Sequence, residues 1–214
     1  MCTCSNGSPS WRDRDDSVAF IEPVTLEGRY ATLEPLAREH EADLRRAAAD
    51  GELWRLWYTS VPAPDKTAPY IDAALRMRED LGAMPFVVRD NATGDIVGCT
   101  RYFNVDAANR RAEIGHTWYA KRAQRTAINT ECKLLLLTHA FEKLKCVAVE
   151  FRTHWFNHAS RDAIARLGAK QDGVLRNHQI LPDGSYRDTV VFSIIENEWP
   201  AVKRHLTFLL ERPR

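Results

Sequence analysis

The sequence lacks the features of a membrane protein, a nucleic-acid binder or a dinucleotide-binding domain. Its apolar runs are short: Leu134–Leu137 is bounded by polar neighbours, far below the ~20 residues that a membrane span needs. Its 30 basic residues stand against 29 acidic ones, for a net charge of +1, so no basic excess predicts nucleic acid as a direct partner. The chain contains neither a G-x-G-x-x-G motif nor a P-loop.

The N-terminal residues also lack a hydrophobic segment, and the cysteines lack the pattern of a disulfide framework. We therefore expect a cytoplasmic protein without a secretory signal. The chain has 5 cysteines, an odd number. Cys99, Cys132 and Cys146 lie within apolar patterns, which predicts small core residues. Cys2 and Cys4 form a C-x-C pair in a polar tail, and two thiolates alone make an incomplete metal site, so no metal is predicted.

The length of 214 residues suits a single domain with a short extension. Hydrophobic residues make up 44% of the chain and charged residues 28%, which excludes a wholly disordered protein. Residues 1–22 are polar and show little apolar periodicity, which predicts a flexible leader. Residues 23–214 are predicted to form the folded domain.

Hydrophobic periodicity, turn residues and glycine stops predict a mixed α/β order of elements. The predicted helices cover 38–50, 67–81, 128–145, 159–167 and 198–210. The predicted strands cover 24–30, 86–89, 96–103, 112–119, 147–152, 173–181 and 186–195. Three of the strands form an antiparallel meander. The strand–helix–strand order of 112–152 then predicts one parallel pair, since a helical crossover returns the chain in the same direction.

The most informative segment is the strand 112–119, the polar loop after it and the start of the next helix. Small residues at a helix start let free backbone N–H groups converge on an anion, aided by the helix dipole. Arg125 adds a cation that suits a phosphate. From the residues alone, an ordinary capped strand-to-helix turn explains the segment equally well.

The order of elements over about residues 24–200 resembles the GNAT acyltransferase superfamily, and within it the branch of ribosomal-protein N-terminal acetyltransferases. The family's pyrophosphate loop has the form Q/R-x-x-G-x-G/A, and here Gln124-Arg125-Thr126-Ala127-Ile128-Asn129 stands in its place. Glu113-Ile114-Gly115 resembles the E-I-G of the family's fourth strand. Asn157-His158-Ala159-Ser160 resembles the branch's N-x-x-S, and Leu167-Gly168 follows as in the family.

The resemblance implies a GNAT fold: a mostly antiparallel sheet, a parallel pair that splays at the cofactor cleft, and helices on both faces. It also implies acetyl-CoA as the acyl donor. The residues that would contact it are Trp118, Tyr119, Gln124, Arg125, Thr126, Ala127, Ile128, Asn129, Thr130, Asn157 and Ser160. Ala127 stands where the family has glycine, and Asn129 stands where the family has glycine or alanine. Alanine would cost ~1–2 kcal/mol in a left-handed conformation and nothing in a helical one.

The same resemblance implies attack of a neutral amine on the thioester, for which we considered three catalytic residues. Glu113 is the first candidate for the general base, because it lies on an apolar strand where a carboxyl pKa should rise. His178 is the second candidate, because imidazole titrates near neutral pH. Ser160 matches the hydroxyl that the family places near the leaving sulfur. The alternatives are a salt-bridged Glu113, a solvent-facing His178 and a helix cap at Ser160.

For the acceptor side, the family places a wall where Trp54, Trp57 and Tyr58 stand, and His116 lies on the strand beside the thioester. Core packing is the alternative role for these aromatics. Two functional classes follow. The first is an N-acetyltransferase that acts on a protein N-terminus or a small-molecule amine. The second is a GNAT-fold regulatory module that binds acyl-CoA with weak catalysis. A homodimer is left open by the resemblance.

Overall fold

The computed structural model describes residues 20–212, in which a single mixed sheet of eight strands is covered by helices. The spatial order of the strands is β1-β2-β3-β4-β5-β6-β8-β7. Their bounds are β1 Leu26–Glu27, β2 Ala31–Pro35, β3 Met84–Asp90, β4 Ile96–Asp106, β5 Arg111–Tyr119, β6 Ala148–His154, β7 Lys170–Ile180 and β8 Tyr186–Ile195. The α-helices are α1 Glu41–Ala49, α2 Thr67–Leu81, α3 Ile128–Thr138, α4 His158–Ala165 and α5 Trp199–Glu211.

The helices cover both faces of the sheet, as two neighbouring residues of β4 demonstrate. The Arg101 guanidinium lies 5.3 Å from the ring centroid of Tyr70 on α2, within the ~6 Å reach of a cation–π interaction. The next residue, Tyr102, points to the opposite face and donates its hydroxyl to the Leu136 carbonyl on α3. Since side chains alternate along a strand, α2 and α3 lie on opposite faces.

All strand pairs are antiparallel except β5 and β6, which run parallel as predicted. Their ladder contains only three registered pairs and ends where Glu113 lies opposite Glu150. Beyond that point β5 pairs only with β4 and β6 pairs only with β8, within the described part of the chain. The two strands therefore splay apart in the middle of the sheet.

Most predicted elements are confirmed, with shifts of a few residues at their ends. The predicted strand 24–30 is wrong in extent, because only Leu26–Glu27 pairs in it and a separate strand, β2, follows the turn. The helix 128–145 is α-helical only to Thr138 and continues as a π-type turn over His139–Lys143. Gly82 ends α2 in the left-handed conformation, with φ of 64°, which glycine adopts without strain.

The three cysteines predicted for the core, Cys99, Cys132 and Cys146, are buried free thiols. Ile21 also belongs to the core, and Phe20 packs against it. Cys2, Cys4 and most of the predicted leader lie outside the described residues. The boundary at residue 22 stays a prediction, and the packing of Ile21 favours a folded unit that begins at or before Phe20.

Candidate active site

The centre of the site is a bulge in β5 at the place where β5 leaves β6. Cys99 pairs with Trp118 and Arg101 pairs with Gly115, so His116 and Thr117 both lie opposite Thr100. His116 takes a left-handed φ of 48°, as a bulged strand residue can. The bulge lies beyond the last pair of β5 with β6, where the described residues provide no neighbouring strand on that side.

The bulge also sets which side chains face α2 and which face α3. An added Cβ on Gly115 would lie 2.6 Å from the Phe103 ring, so only glycine fits beneath that ring. His116 packs on the same ring at 4.9 Å and therefore shares its face. Burial lowers the pKa of His116 to about 3, so its imidazole is neutral over the physiological range.

The loop from β5 to α3 presents free backbone donors. Within residues 20–212, the N–H groups of Arg125, Ala127 and Asn129 have no protein acceptor. Ala127 has helical angles, φ −67° and ψ −26°, so alanine causes no backbone strain there. The left-handed residue is Arg125 instead, with φ of 60°. Its exposed side chain and these N–H groups form an electropositive helix start that suits a phosphate.

Several polar side chains of this loop bond within the protein rather than toward a ligand. Gln124 donates to the Tyr119 carbonyl at 3.0 Å, and Thr126 donates to the Ala123 carbonyl at 2.7 Å. Thr130 accepts from Arg166, the residue that follows α4, at 3.3 Å. Arg166 was missed at the sequence level, because only the fold brings this helix end beside the loop.

Glu131 fixes the first turn of α3 to the turn between β1 and β2. Its buried carboxylate accepts the backbone N–H groups of Arg29, Tyr30 and Ala31 at 2.9, 2.5 and 2.7 Å. An added Cβ on Gly28 would lie 2.5 Å from the carboxylate carbon, so glycine permits this approach. The sequence predicted no such role for Glu131, because its partners lie about 100 residues away and are backbone groups.

Lys133 lies two residues further along α3 and reaches the bulged part of β5. Only 5% of its surface is exposed, and its ammonium donates to Thr117 at 2.8 Å and to Thr100 at 3.3 Å. Within the described residues no carboxylate pairs with it. Burial lowers the pKa of Lys133 to about 8.

On the α2 face, Glu113 marks the last paired position before the splay and is 3% exposed. Its carboxylate accepts from Asn104 at 2.8 Å and lies 3.4 Å from the Arg152 guanidinium. Burial raises the pKa of Glu113 to about 7, although the hydrogen bond from Asn104 and the charges of Arg152 and Arg187 act in the opposite direction. Neighbouring Glu150 is bound by Arg111 at 2.5 Å and by Arg152 at 2.9 Å. We call Glu113, Asn104, Glu150, Arg152 and Arg187 the Glu113 cluster.

Asn157 and Ser160 begin α4, which follows the end of β6. The Asn157 side chain accepts from the Ser160 backbone N–H at 3.1 Å, so Asn157 is the cap of this helix. The alternative reading of Ser160 as the cap is therefore wrong. Its hydroxyl makes no hydrogen bond within residues 20–212 and is free to bond a ligand.

An aromatic wall borders the cluster at the end of β6. Trp57, Tyr58 and Phe156 surround the His154 ring at 4.9, 6.2 and 5.7 Å. Trp57 and Phe156 remain more than half exposed, so the wall is open to solvent. Trp54, predicted to belong with them, instead contacts Arg55 by a cation–π interaction at 5.1 Å.

His178 is exposed on β7, and its Nδ1 lies 3.1 Å from the Thr189 hydroxyl. The same hydroxyl accepts from Arg187 at 3.1 Å, which connects His178 to the Glu113 cluster through two hydrogen bonds. Trp118 and Tyr119, by contrast, bury their side chains in the core. Trp118 donates to Tyr70 on α2 at 3.2 Å. Only the backbone of these two residues remains for a ligand.

No group of three or more His, Cys, Asp or Glu side chains in the range 20–212 could hold a metal ion. No helix in that range is long and apolar enough to cross a membrane. A surface cavity touches the loop at Thr126, Ala127 and Ile128, but it contains no residue of the Glu113 cluster or the aromatic wall.

Comparison with known proteins agrees with this geometry. A protein of Bacillus subtilis (strain 168), named provisionally as the ribosomal N-acetyltransferase YdaF, is 33% identical over 110 residues. That match covers 51% of this chain and 59% of the relative, so the chain spans little more than half of the curated relative's length.

Two solved structures extend the comparison to most of the chain. The GCN5-related N-acetyltransferase from Brucella melitensis is 30% identical, with a TM-score of 0.81 over 89% of this chain and 87% of that one. Mycobacterium smegmatis RimJ in complex with CoA-disulfide shares the fold at 22% identity, with a TM-score of 0.72 over 87% of this chain and 95% of that one. The model of the acetyltransferase (GNAT) domain matches residues 31–170. The chain belongs to the GNAT acetyltransferase family.

Proposed function

We propose that the protein transfers the acetyl group of acetyl-CoA to a primary amine by direct attack, and that the amine is a protein N-terminus or a small molecule. The observation that carries this proposal is the position of Glu113. A carboxyl with a pKa of about 7 lies at the point where β5 and β6 part, on the same sheet as the donor-rich helix start. A base of this strength can accept a proton from an amine near neutral pH.

The residues fit acetyl-CoA in two respects. The free N–H groups at the start of α3 suit a pyrophosphate, and the helical angles of Ala127 remove the objection that alanine strains the loop. The splay leaves β5 backbone donors without a strand partner among the described residues. RimJ, which has a similar fold, was solved with CoA-disulfide. When bound, acetyl-CoA supplies an activated acetyl thioester.

The chain's own groups then have separate tasks. Glu113 takes the proton that the amine releases, directly or through a water. Ser160, whose hydroxyl is free, donates a hydrogen bond to the leaving sulfur. The open β5 backbone beside His116 donates to the carbonyl oxygen of the thioester, where charge develops during attack. The aromatic wall holds the acceptor at the open side of the cluster.

A protein N-terminus is the acceptor that this base serves best. An N-terminal amine has a reference pKa of ~7.7–8.0, whereas lysine lies near 10.4. The N-terminus is partly neutral at pH 7, so a base with a pKa of about 7 is sufficient. A small-molecule amine of similar pKa would serve equally. The similarity to YdaF supports the N-terminal choice.

The test is release of free CoA thiol from acetyl-CoA with a panel of peptide N-termini, small amines and blocked-N-terminus lysine peptides, using the full chain. We expect turnover with free N-termini or low-pKa amines and little with lysine. Binding of acetyl-CoA, measured by calorimetry, accompanies the assay. Tight binding without turnover on any amine would support the regulatory module instead, and the absence of binding would refute both.

A further inference from the structure

The end of the Glu113 cluster is rich in hydrogen-bond donors and has no acceptor left for them. Arg187 on β8 is half-buried, and its Nε donates to the Thr189 hydroxyl at 3.1 Å. The two terminal nitrogens of its guanidinium donate no hydrogen bond within residues 20–212. Burial lowers the pKa of Arg187, because the charge of Glu113 offsets only part of the desolvation of this cation.

The nearby carboxylates are already bound by other groups. Asp188, the next residue, is bound by Arg176 at 2.5 Å and by the Asn177 N–H at 2.7 Å. Glu150 is bound by two other arginines, and Glu113 has Asn104 and Arg152 as its partners. No carboxylate of the described residues forms a salt bridge with Arg187.

A second donor without a partner lies beside it. His154 is 2% exposed, and its Nδ1 accepts from the Phe156 N–H at 3.1 Å. The neutral ring therefore carries its proton on Nε2. Nε2 is buried and has no hydrogen-bond partner among residues 20–212. His154 pairs across the sheet with Thr189, the residue that Arg187 contacts, so the two donors are neighbours.

A carboxylate is the chemical group that satisfies both donors at once. A guanidinium with two free nitrogens can bind it through parallel hydrogen bonds, and a neutral imidazole N–H can donate to the same group. We infer that Arg187 and His154 bind a carboxylate that the acceptor carries close to its reacting amine. This inference rests on the proposed function, because it assigns the amine to Glu113.

Arg187 and Glu113 are near enough to shift each other's pKa, so a carboxylate bound by Arg187 lies close to an amine that Glu113 deprotonates. Two kinds of acceptor provide such a carboxylate. It is the side chain of an N-terminal Asp or Glu of a peptide, or the α-carboxylate of a free amino acid. Both place an anion within one residue of the amine. The aromatic wall then packs against the remainder of the acceptor.

The experiment compares kcat/KM for acceptor pairs that differ in one charge: peptides starting with Asp or Asn, and free alanine or alaninamide. Each kcat/KM is calculated from the concentration of neutral amine, because removing the carboxylate also lowers the pKa of the amine. We expect the wild-type protein to prefer the carboxylate member of one pair by about 10- to 100-fold, the range of a charge-assisted hydrogen bond. The pair that shows the preference identifies the source. Arg187→Gln should reduce the preference to within about twofold, and Arg187→Lys should retain part of it.

The ratio within a pair is the decisive quantity. Arg187→Gln also removes a charge that lowers the pKa of Glu113, but this effect is common to both members of a pair. Arg176→Gln is the matched control, because Arg176 is exposed on the same hairpin. If Arg176→Gln lost the preference to the same extent, the preference would come from the positive charge of the hairpin. That result would overturn the proposed binding of the carboxylate by the Arg187 guanidinium.

Calorimetry separates this inference from the proposed function. Acetylated product peptides, Ac-Asp and Ac-Asn, are titrated into the protein with CoA, which requires no turnover. Tighter binding of the Ac-Asp peptide, lost in Arg187→Gln and weakened in His154→Phe, supports the carboxylate site even if no amine is acetylated. Turnover of neutral acceptors without any preference in either assay leaves the acetyltransferase intact and refutes the carboxylate site.

Discussion

Two carboxylates on adjacent strands, Glu113 and Glu150, take different states because their neighbours differ. Glu150 is bound by Arg111 and Arg152 and has a lowered pKa, whereas Glu113 is more deeply buried and its pKa is raised to about 7. Carboxylates whose environments separate their pKa values are typical of acid–base sites. The strand position of Glu113 could be predicted from the sequence. The shared arginines could not, because Arg111, Arg152 and Arg187 come from three different strands.

The first prediction concerns the acidic limb of the kcat–pH profile. Activity should fall as the pH drops through the pKa of Glu113, because the base must be ionised. Glu113→Gln should reduce kcat by about 100-fold or more and remove the limb. Glu150→Gln should retain the limb and move it to lower pH, since Glu150 raises the pKa of Glu113 and competes for Arg152.

The measurement is kcat at saturating acetyl-CoA across pH 5–9, a range of about two units on either side of the Glu113 pKa. His178→Ala serves as the control, because His178 is exposed and its side chain hydrogen-bonds only the Thr189 hydroxyl among residues 20–212. If His178→Ala removes the limb while Glu113→Gln retains it, the histidine is the base.

The second prediction concerns Lys133, whose folded pKa of about 8 lies below the ~10.4 of an unfolded lysine. Below pH 8 both states carry the charge, and the folded state bears a cost of about 3 kcal/mol. Between pH 8 and ~10.4 only the unfolded state keeps the proton, so the cost disappears and stability rises with pH. Lys133→Met should therefore raise the free energy of unfolding at pH 7 and flatten this rise.

Urea unfolding at pH 7 and pH 10 measures both effects. Lys143→Met is the matched control, because Lys143 is exposed and should change stability by less than about 0.5 kcal/mol. A loss of stability in Lys133→Met at pH 7 would mean that the bonds to Thr100 and Thr117 outweigh the burial of the charge.

At the scale of elements, the loop before α3 combines a left-handed arginine with free N–H groups. The third prediction is that Arg125→Glu weakens acetyl-CoA binding by about 10-fold or more, because a cation beside the phosphates becomes an anion. Lys121→Glu reverses another exposed charge of the same connection and should have a smaller effect. The increase in melting temperature with acetyl-CoA concentration measures the affinity. If both variants weakened binding equally, the net charge of the loop would explain the effect, and a direct contact between Arg125 and the phosphates would be refuted.

Elements that depend on contacts between residues close in sequence could be predicted, whereas those that depend on residues distant in sequence could not. The strand–helix–strand order around β5, α3 and β6 follows from periodicity, and the parallel pair follows from it directly. The early end of the predicted strand 24–30 at Glu27 could not be predicted, because the turn after β1 is held by Glu131 rather than by its own residues. The bulge at His116 could not be predicted either, since histidine is only moderately enriched at a left-handed φ and mostly takes other conformations.

At the scale of the whole molecule, the fourth prediction concerns where the folded unit begins. Ile21 is 5% exposed and lies in the core, so its removal should cost about 1.5–3 kcal/mol. A chain starting at Phe20 should match the full chain in melting temperature and acetyl-CoA affinity. A chain starting at Glu22 should unfold at a lower temperature. Equal melting temperatures for all three chains would place the boundary at residue 22, as the sequence suggested.

The hydrogen bonds between Glu131 and the β1–β2 turn allow hydrogen exchange at this turn to report on ligand binding. Amides in an exposed turn normally exchange rapidly with solvent. Those of Arg29, Tyr30 and Ala31 instead donate to the Glu131 carboxylate, in the first turn of the helix that follows the proposed phosphate-binding loop. Their deuterium uptake should therefore be slow, and it should slow further when a ligand orders the first turn of α3. Three amides about 100 residues away in the chain would thus report occupancy of the loop without any label near it.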